Sequence, residues 1–226
     1  MSIKLDELKT SIFGNQFMDY RGYTKINPMV KMPIRDVSSP SSLIDRIVFH
    51  CTDANHWKPD KLSQFFVEEK GWPICGYHYY VMGDTVYHMV GENVITYHAA
   101  PYNKNSVSFS IDYPATEFEK IGVAPSVEVM DKAIKTATFL ALKFKVPTPY
   151  IYGHRELQYT GWFWKQDHKV LRKTCPGLKI DLNQFRIDVC RTVQYNLNVL
   201  GSNKLATDGI FGPKTALAMK NFIVEL

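Results

Sequence analysis

The sequence predicts an α/β chain of the α+β kind: a mixed central β-sheet flanked by helices, plus a small C-terminal all-α domain. Three observations predict it. Short apolar runs of strand length recur at 46–50, 77–81, 85–90 and 107–111. One longer segment, 126–145, carries apolar residues at spacings of three and four. Beyond residue 183 the pattern turns helical around a glycine-containing turn.

Residues 1–40 show little regular pattern, and Pro28, Pro33 and Ser38-Ser39-Pro40-Ser41-Ser42 read as irregular chain and a turn. They are expected to form an N-terminal arm packed on the unit after it. Arg46-Ile47-Val48-Phe49-His50 is an apolar run ending in a polar residue, the mark of a buried strand. Asp60 offers an N-cap for a helix reaching Lys70, with Leu62, Phe65 and Phe66 on one face and Gly71 as the stop. Segments 77–81 and 85–90 flank Met82-Gly83-Asp84 and predict a hairpin. The stretch 107–111 is another strand.

In 126–145 the repeating residues are Val127, Met130, Ile134, Ala137, Ala141 and Phe144, and Pro147 and Pro149 end the helix. Residues 150–152 read as a strand leading into Gly153-His154. In the tail, Val189, Val193, Leu197 and Leu200 repeat at helical spacing. Thr207-Asp208-Gly209-Ile210-Phe211-Gly212 is a turn, and Pro213 opens a second helix at its favoured first position. The expected units are therefore 1–40, 41–183 and 184–226. The last is near the lower size limit for independent folding and is expected to borrow core from its neighbour.

The chain has 226 residues, 45% of them hydrophobic and 22% charged, enough to bury a full core and to exclude disorder for its bulk. The longest apolar candidate, 136–144, is short and interrupted by Lys143, so no membrane span is expected. Residues 1–7 lack the apolar region of a secretory signal, which predicts synthesis as a soluble cytosolic protein. The net charge of +5 is spread without a basic run, so no nucleic-acid partner is expected, while an acidic polymer is compatible. Cys51, Cys75, Cys175 and Cys190 are expected to be reduced thiols or metal ligands, because a chain this long does not need disulfides to fold.

Three segments concentrate reactive side chains: Phe49-His50-Cys51-Thr52, Gly153-His154-Arg155-Glu156 and Lys173-Thr174-Cys175-Pro176-Gly177. A catalytic zinc takes three protein ligands and keeps one position open. His50 ends a predicted strand, His154 follows one, and Cys175 lies in a Pro-Gly loop able to fold over the same rim. Spacing alone leaves a second reading open, in which both histidines are hydrogen-bonded strand-end residues and Cys175 is a small buried hydrophobe.

Those segments, taken in order with Gly76-Tyr77-His78-Tyr79, Tyr97-His98-Ala99-Ala100 and Asn105-Ser106-Val107, resemble the zinc-dependent N-acetylmuramoyl-L-alanine amidases. This family includes phage lysozymes of amidase activity and the peptidoglycan recognition proteins. The resemblance covers roughly residues 43–183. Asp208-Gly209-Ile210-Phe211-Gly212-Pro213-Lys214-Thr215 resembles the core of a peptidoglycan-binding helical domain. Two separate resemblances thus point to one polymer.

The resemblance implies one Zn2+ per chain on His50, His154 and Cys175. It implies Tyr77 and Lys173 as catalytic residues, the first a proton shuttle and the second a cation for the oxyanion. His98 and Asn105 would contact substrate. The long segment between His154 and Cys175 offers Trp162 and Trp164 for stacking on sugars. Asp208, Gly209, Phe211 and Gly212 would serve wall binding. His78 is expected to face the core. Many relatives carry a Glu base where Ser110 stands, which places this chain with the phage amidases that lack it and leaves Asp112 as a reserve base.

The leading expectation is a monomeric lysis enzyme, an endolysin made in the bacterial host cytoplasm and released to the cell wall by a holin. It would bind peptidoglycan, with no nucleic acid and no membrane insertion. Two alternatives stay open: a non-catalytic peptidoglycan receptor, which typically lacks the cysteine ligand, and a cytosolic amidase that recycles muropeptides.

Overall fold

The computed structural model describes residues 2–35, 44–54, 56–157 and 174–225. In chain order the elements are β1 (Ser2–Lys4), α1 (Leu5–Phe13), β2 (Phe17–Asp19), β3 (Arg46–Cys51), α2 (Pro59–Gln64, continued by a π-helical turn Phe65–Glu69), β4 (Tyr79–Met82), β5 (Thr85–His88), β6 (Ser106–Ile111), α3 (Ala115–Phe118), α4 (Val127–Phe144), β7 (Ile151–Gly153), α5 (Leu182–Gly201), α6 (Pro213–Asn221) and β8 (Ile223–Glu225). Six strands form one sheet in the order β2-β5-β4-β6-β3-β7. Only the β4–β5 hairpin is antiparallel; the other pairs run parallel.

Strand alternation gives the sheet two different faces. Ile47 and Phe49 of β3, Val107, Phe109 and Ile111 of β6, and Tyr79 and Val81 of β4 enter the main core. They meet Leu8 of α1, Phe139 and Leu140 of α4, and Phe185 and Val189 of α5 in that core. Phe49 stacks on Phe109 at 4.7 Å between centroids and lies 4.8 Å from Phe185. Each such ring contributes about 2 kcal/mol through burial alone. The opposite face carries His50, Ser106, Ser108 and Ser110, flanked by smaller apolar clusters around Val48 and Tyr80. The site occupies this second face.

Local chemistry sets the helix ends. Ser126 caps α4 by accepting the Val129 N–H at 3.3 Å, and Lys145 closes it in a left-handed conformation. The helix expected to start at Asp60 starts at Pro59, which needs no amide partner at the first position, and Asp60 falls in the first turn. The strand expected at residue 150 begins at Ile151, because Thr148–Tyr150 form a 3-10 turn.

The first 40 residues depart from the expectation of little regular structure. They supply β1, α1 and β2. Helix α1 buries Leu8, Ile12 and Phe13, and Phe13 lies 5.5 Å from Phe139 of α4. Strand β2 extends the sheet by parallel pairing with β5, and β1 pairs in parallel with β8. Both strands are three residues long, too short to display a period, and their partners stabilise them. In the tail, Asp181 caps α5, whose Phe185, Val189, Val193 and Leu197 belong to the same core as the sheet.

Candidate active site

Parallel register brings the two histidines together. Phe49 of β3 pairs with Gly153 of β7, so the residues that follow, His50 and His154, emerge side by side at the C-terminal ends of adjacent strands. Their ring centroids are 4.5 Å apart. The Cys175 Sγ lies 3.6 Å from His50 Nδ1. One ligand atom from each of His50, His154 and Cys175 lies within 4.8 Å of the others.

The loop of Cys175 is brought close by a glycine and held by an arginine. A Cβ on Gly153 would sit 2.5 Å from Leu182 Cδ1 and 2.9 Å from Pro176 Cδ, so only glycine lets the loop lie against β7. The Arg155 backbone N–H donates to Cys175 O at 2.8 Å. The Arg155 guanidinium donates to Gly177 O, and to Ile180 O at 2.7 Å. Glu156 accepts the Gly153 N–H at 2.8 Å and forms a two-pronged ion pair with Arg186 of α5 at 2.9 and 3.0 Å. The segment Gly153-His154-Arg155-Glu156 therefore supplies a close approach, a candidate ligand, a clamp and a strap to α5.

Burial opposes ionisation of Cys175, but the Cys51 thiol and the two neighbouring imidazoles outweigh it and hold its pKa well below the ordinary thiol value. The Cys51 backbone N–H also points at the sulfur, 3.3 Å away. Cys51 shifts the opposite way, driven up by its hydrogen bond to Cys175 and by burial, and stays a thiol. Two imidazoles and an ionised sulfur form a donor set that suits zinc, with the fourth position left for substrate or water.

Tyr77 packs on this cluster, its ring 5.1 Å from that of His50. Burial and the neighbouring Cys175 raise its pKa well above the ordinary phenol value, and Ser110 hydrogen-bonds it. It keeps its proton at neutral pH.

Strand β6 serves the site with three alternating serines. Ser106 Oγ is 3.0 Å from His98 Nε2, Ser108 Oγ is 3.1 Å from His78 Nδ1, and Ser110 bonds Tyr77. His98, expected to meet substrate, is only 7% exposed and lies behind His50, with Nδ1 3.2 Å from His50 Nε2. His78 is fully buried, as alternation from Tyr77 implies. Burial lowers its pKa to about 3.

Arg35 was not singled out by any motif. It is buried and donates to five backbone carbonyls: Lys104 at 3.1 Å, Val94 at 2.7 Å, Asn103 at 2.9 Å, and those of Glu92 and Ser106. Asn103 in turn accepts the backbone N–H groups of His98 and Ala99 at 3.1 and 2.6 Å. Together they fix the chain that carries His98. Nothing in the sequence marks Arg35 except an arginine in an irregular stretch.

Not every expected residue joins the cluster. Asn105 is exposed at the start of β6, where the pairing partner of Ser106 is Arg46 rather than His50. That is about 15 Å along the strand from Ser110. Asp112, the reserve base, accepts the His56 backbone N–H at 3.0 Å, and burial raises its pKa. Lys173, Trp162 and Trp164 lie outside the described residues.

The turn of the tail is built around Gln194, a buried residue of α5. Its amide donates to Asp208 Oδ1 at 2.9 Å, Ile210 O at 3.0 Å and Thr215 Oγ1 at 3.2 Å, and its oxygen accepts the Gly209 N–H at 3.0 Å. Gly209 has φ +81°, and a Cβ there would meet Ile187 Cγ2 at 2.7 Å. Gly209 and Phe211 line an open cleft of about 460 Å³ together with Tyr152, Glu156 and Arg186. Asp208 and Gly212 complete the turn beside it, and Gly212 precedes α6.

Comparison with known proteins gives consistent results. A family model described as N-acetylmuramoyl-L-alanine amidase matches residues 40–178. No curated protein matches the sequence. Among solved structures, the endolysin amidase LysCS from Clostridium intestinale URNW superposes with TM-score 0.57 at 17% identity, over 76% of this chain and 93% of that one. The Ph2119 endolysin from the Thermus scotoductus MAT2119 bacteriophage gives TM-score 0.55 at 19% identity, over 76% and 98%. Drosophila peptidoglycan recognition protein SD gives 0.53 at 17%, over 72% and 88%. At these identities the superpositions speak for the fold, and the family match, which covers more than half the chain, speaks for the rest. The chain belongs to the N-acetylmuramoyl-L-alanine amidase family and is an amidase of that class.

Proposed function

We propose that this amidase cleaves the bond between N-acetylmuramic acid and L-alanine in peptidoglycan with one zinc ion held by His50, His154 and Cys175. The observation that carries the reading is the convergence of these three ligand atoms within 4.8 Å at one sheet rim, beside Tyr77. When bound, zinc would supply Lewis acidity toward the amide carbonyl and a water, bringing the water's pKa toward roughly 7.

The chain's own groups divide the remaining work. Tyr77 holds a proton at neutral pH and offers its O–H to the reacting oxygen or the departing amine. Ser110 faces His50 across the β3–β6 pair, where it cannot act as a carboxylate base, so Tyr77 carries the proton traffic. Lys173 is assigned from its motif as the cation for the developing oxyanion. The presence of Cys175 argues against a receptor that only binds, since such receptors typically lack the cysteine ligand.

The tail is proposed as the wall anchor, through Asp208, Gly209, Phe211 and Gly212. Its cleft also reaches β7, so the anchor and the strand that leads to His154 share one surface. An anchor suits intact wall better than soluble muropeptides and favours a lysis role, with release to the wall by a phage holin. Trp162 and Trp164 are proposed to add sugar contacts. Among the described residues no helix is long and apolar enough to cross a membrane.

The test is digestion of purified peptidoglycan with and without a zinc chelator, followed by end-group analysis. New N-terminal L-alanine, lost on chelation and restored by zinc, is the expected result. New reducing sugar ends would mean a glycosidase and overturn the assignment. Binding without cleavage would mean a receptor.

A further inference from the structure

The hydrogen bonds behind His50 run in one direction. The Ser106 hydroxyl has a single hydrogen, and it is donated to Tyr102 O at 2.7 Å. Ser106 Oγ must therefore accept from its other neighbour, His98 Nε2, at 3.0 Å. A neutral His98 protonated on Nε2 has its lone pair on Nδ1. That nitrogen is 3.2 Å from His50 Nε2, so His50 donates its Nε2–H there. The remaining His50 nitrogen, Nδ1, then carries the lone pair, and Nδ1 is the atom 3.6 Å from Cys175 Sγ.

We infer that His98 and Ser106 form a positioning relay that locks His50 in the tautomer presenting Nδ1 to the metal. The chain of donors is His50 to His98 to Ser106 to the Tyr102 carbonyl. It is seated by Asn103 on the His98 backbone and by Arg35 on the Ser106 carbonyl. His98 is a positioning residue here and touches no substrate. A histidine suits this place because its two nitrogens bridge a hydroxyl and an imidazole, accepting on one side and donating on the other. Metal-bound histidines in general depend on such outer partners, whose loss costs about 10- to 100-fold in affinity.

The inference rests on the metal reading above, and its test separates the two. Zinc affinity is measured by competition with a chromophoric chelator in wild type, His98→Leu, His98→Asn and Ser106→Ala. Histidine tautomers are read in the zinc-free protein by long-range 1H–15N correlation. His98→Leu is expected to weaken zinc about 10- to 100-fold. His98→Asn, whose amide oxygen can stand where Nδ1 stood, is expected to recover most of that loss. Wild-type His50 and His98 should both appear as Nε2–H tautomers, and Ser106→Ala should mix the His98 population. A His50 Nδ1–H tautomer in the wild type, unchanged affinity in a folded His98→Leu, or His98→Asn as weak as His98→Leu would each overturn the relay. A wild type with the expected tautomers but no zinc binding would instead overturn the metal reading, and with it the purpose assigned to the relay.

Discussion

The backbone N–H of Arg155 donates to the carbonyl of Cys175 at 2.8 Å. Two segments that each deliver a candidate ligand are thereby joined one residue from His154 and at Cys175 itself. The Arg155 side chain repeats the link through Gly177 O and Ile180 O. Arg155→Ala keeps the backbone bond and removes the side-chain clamp. Zinc affinity is expected to fall about tenfold or more, as for other lost outer-shell contacts. Chelator competition checks it, and unchanged affinity would assign the clamp to stability alone.

Cys175→Ser removes the anionic ligand. Metal content after dialysis should fall below one equivalent, and release of N-terminal L-alanine from peptidoglycan should cease. A serine variant that keeps full activity would take Cys175 out of the centre.

Tyr77→Phe keeps the ring that packs on His50 and deletes the proton. Turnover should drop about 10²-fold while zinc stays bound. Loss of zinc alongside the loss of turnover would make Tyr77 a structural support. Lys173→Ala is expected to behave likewise, with a kcat loss of about 10²-fold or more and metal retained.

Acid should destabilise this fold early. Burial lowers the pKa of His78 to about 3 and that of His88 to about 4, both below the ordinary histidine value. Such groups contribute stability that is full above the unfolded pKa and is lost as pH falls toward the folded one. These two should take up about two protons on unfolding near pH 5, a slope of about 2.7 kcal/mol per pH unit, and His98, which burial also holds well below the ordinary histidine value, adds to it. Urea unfolding between pH 7 and 4.5 measures it for the metal-free protein. His88→Gln should lower the slope by about 1.4 kcal/mol per pH unit, and an unchanged slope would mean that His88 is not held neutral.

Arg35→Met strips five carbonyls of their donor. A loss of about 3 kcal/mol or more is expected from denaturant midpoints, because the orphaned acceptors stay buried. Arg35→Lys should recover little, since an ammonium cannot span the same fan of carbonyls.

Strands β3, β4, β5 and β6 were legible because their alternation or apolar runs exceed the noise of a few residues, and β7 by its place before Gly153-His154. The long helix α4 was legible for the same reason, with Ser126 and the prolines marking its ends. The trio His50, His154 and Cys175 was legible only as a set of motifs, since spacing places His50 and Cys175 far apart in the chain. Parallel register, which brings His50 beside His154, is a property of pairing that no single segment carries. The three-residue strands β1, β2 and β8 escaped because partners define them. Arg35 and Gln194 escaped because their value lies in carbonyls and turns supplied by remote segments. His98 was recognised by motif, but its depth behind His50 was not.

The serines of β6 give the central strand a built-in check on its own alignment. Ser106, Ser108 and Ser110 alternate with Val107, Phe109 and Ile111. A slip by one residue would drive three hydroxyls into the aliphatic layer beneath α4. It would also set three greasy side chains against His98, His78 and Tyr77. Misalignment is thus penalised on both faces at once, and the polar penalty falls on the residues that surround His50. A chain that has zipped β6 wrongly cannot assemble the site, so an intact site reports on correct folding of the strand in the middle of the molecule.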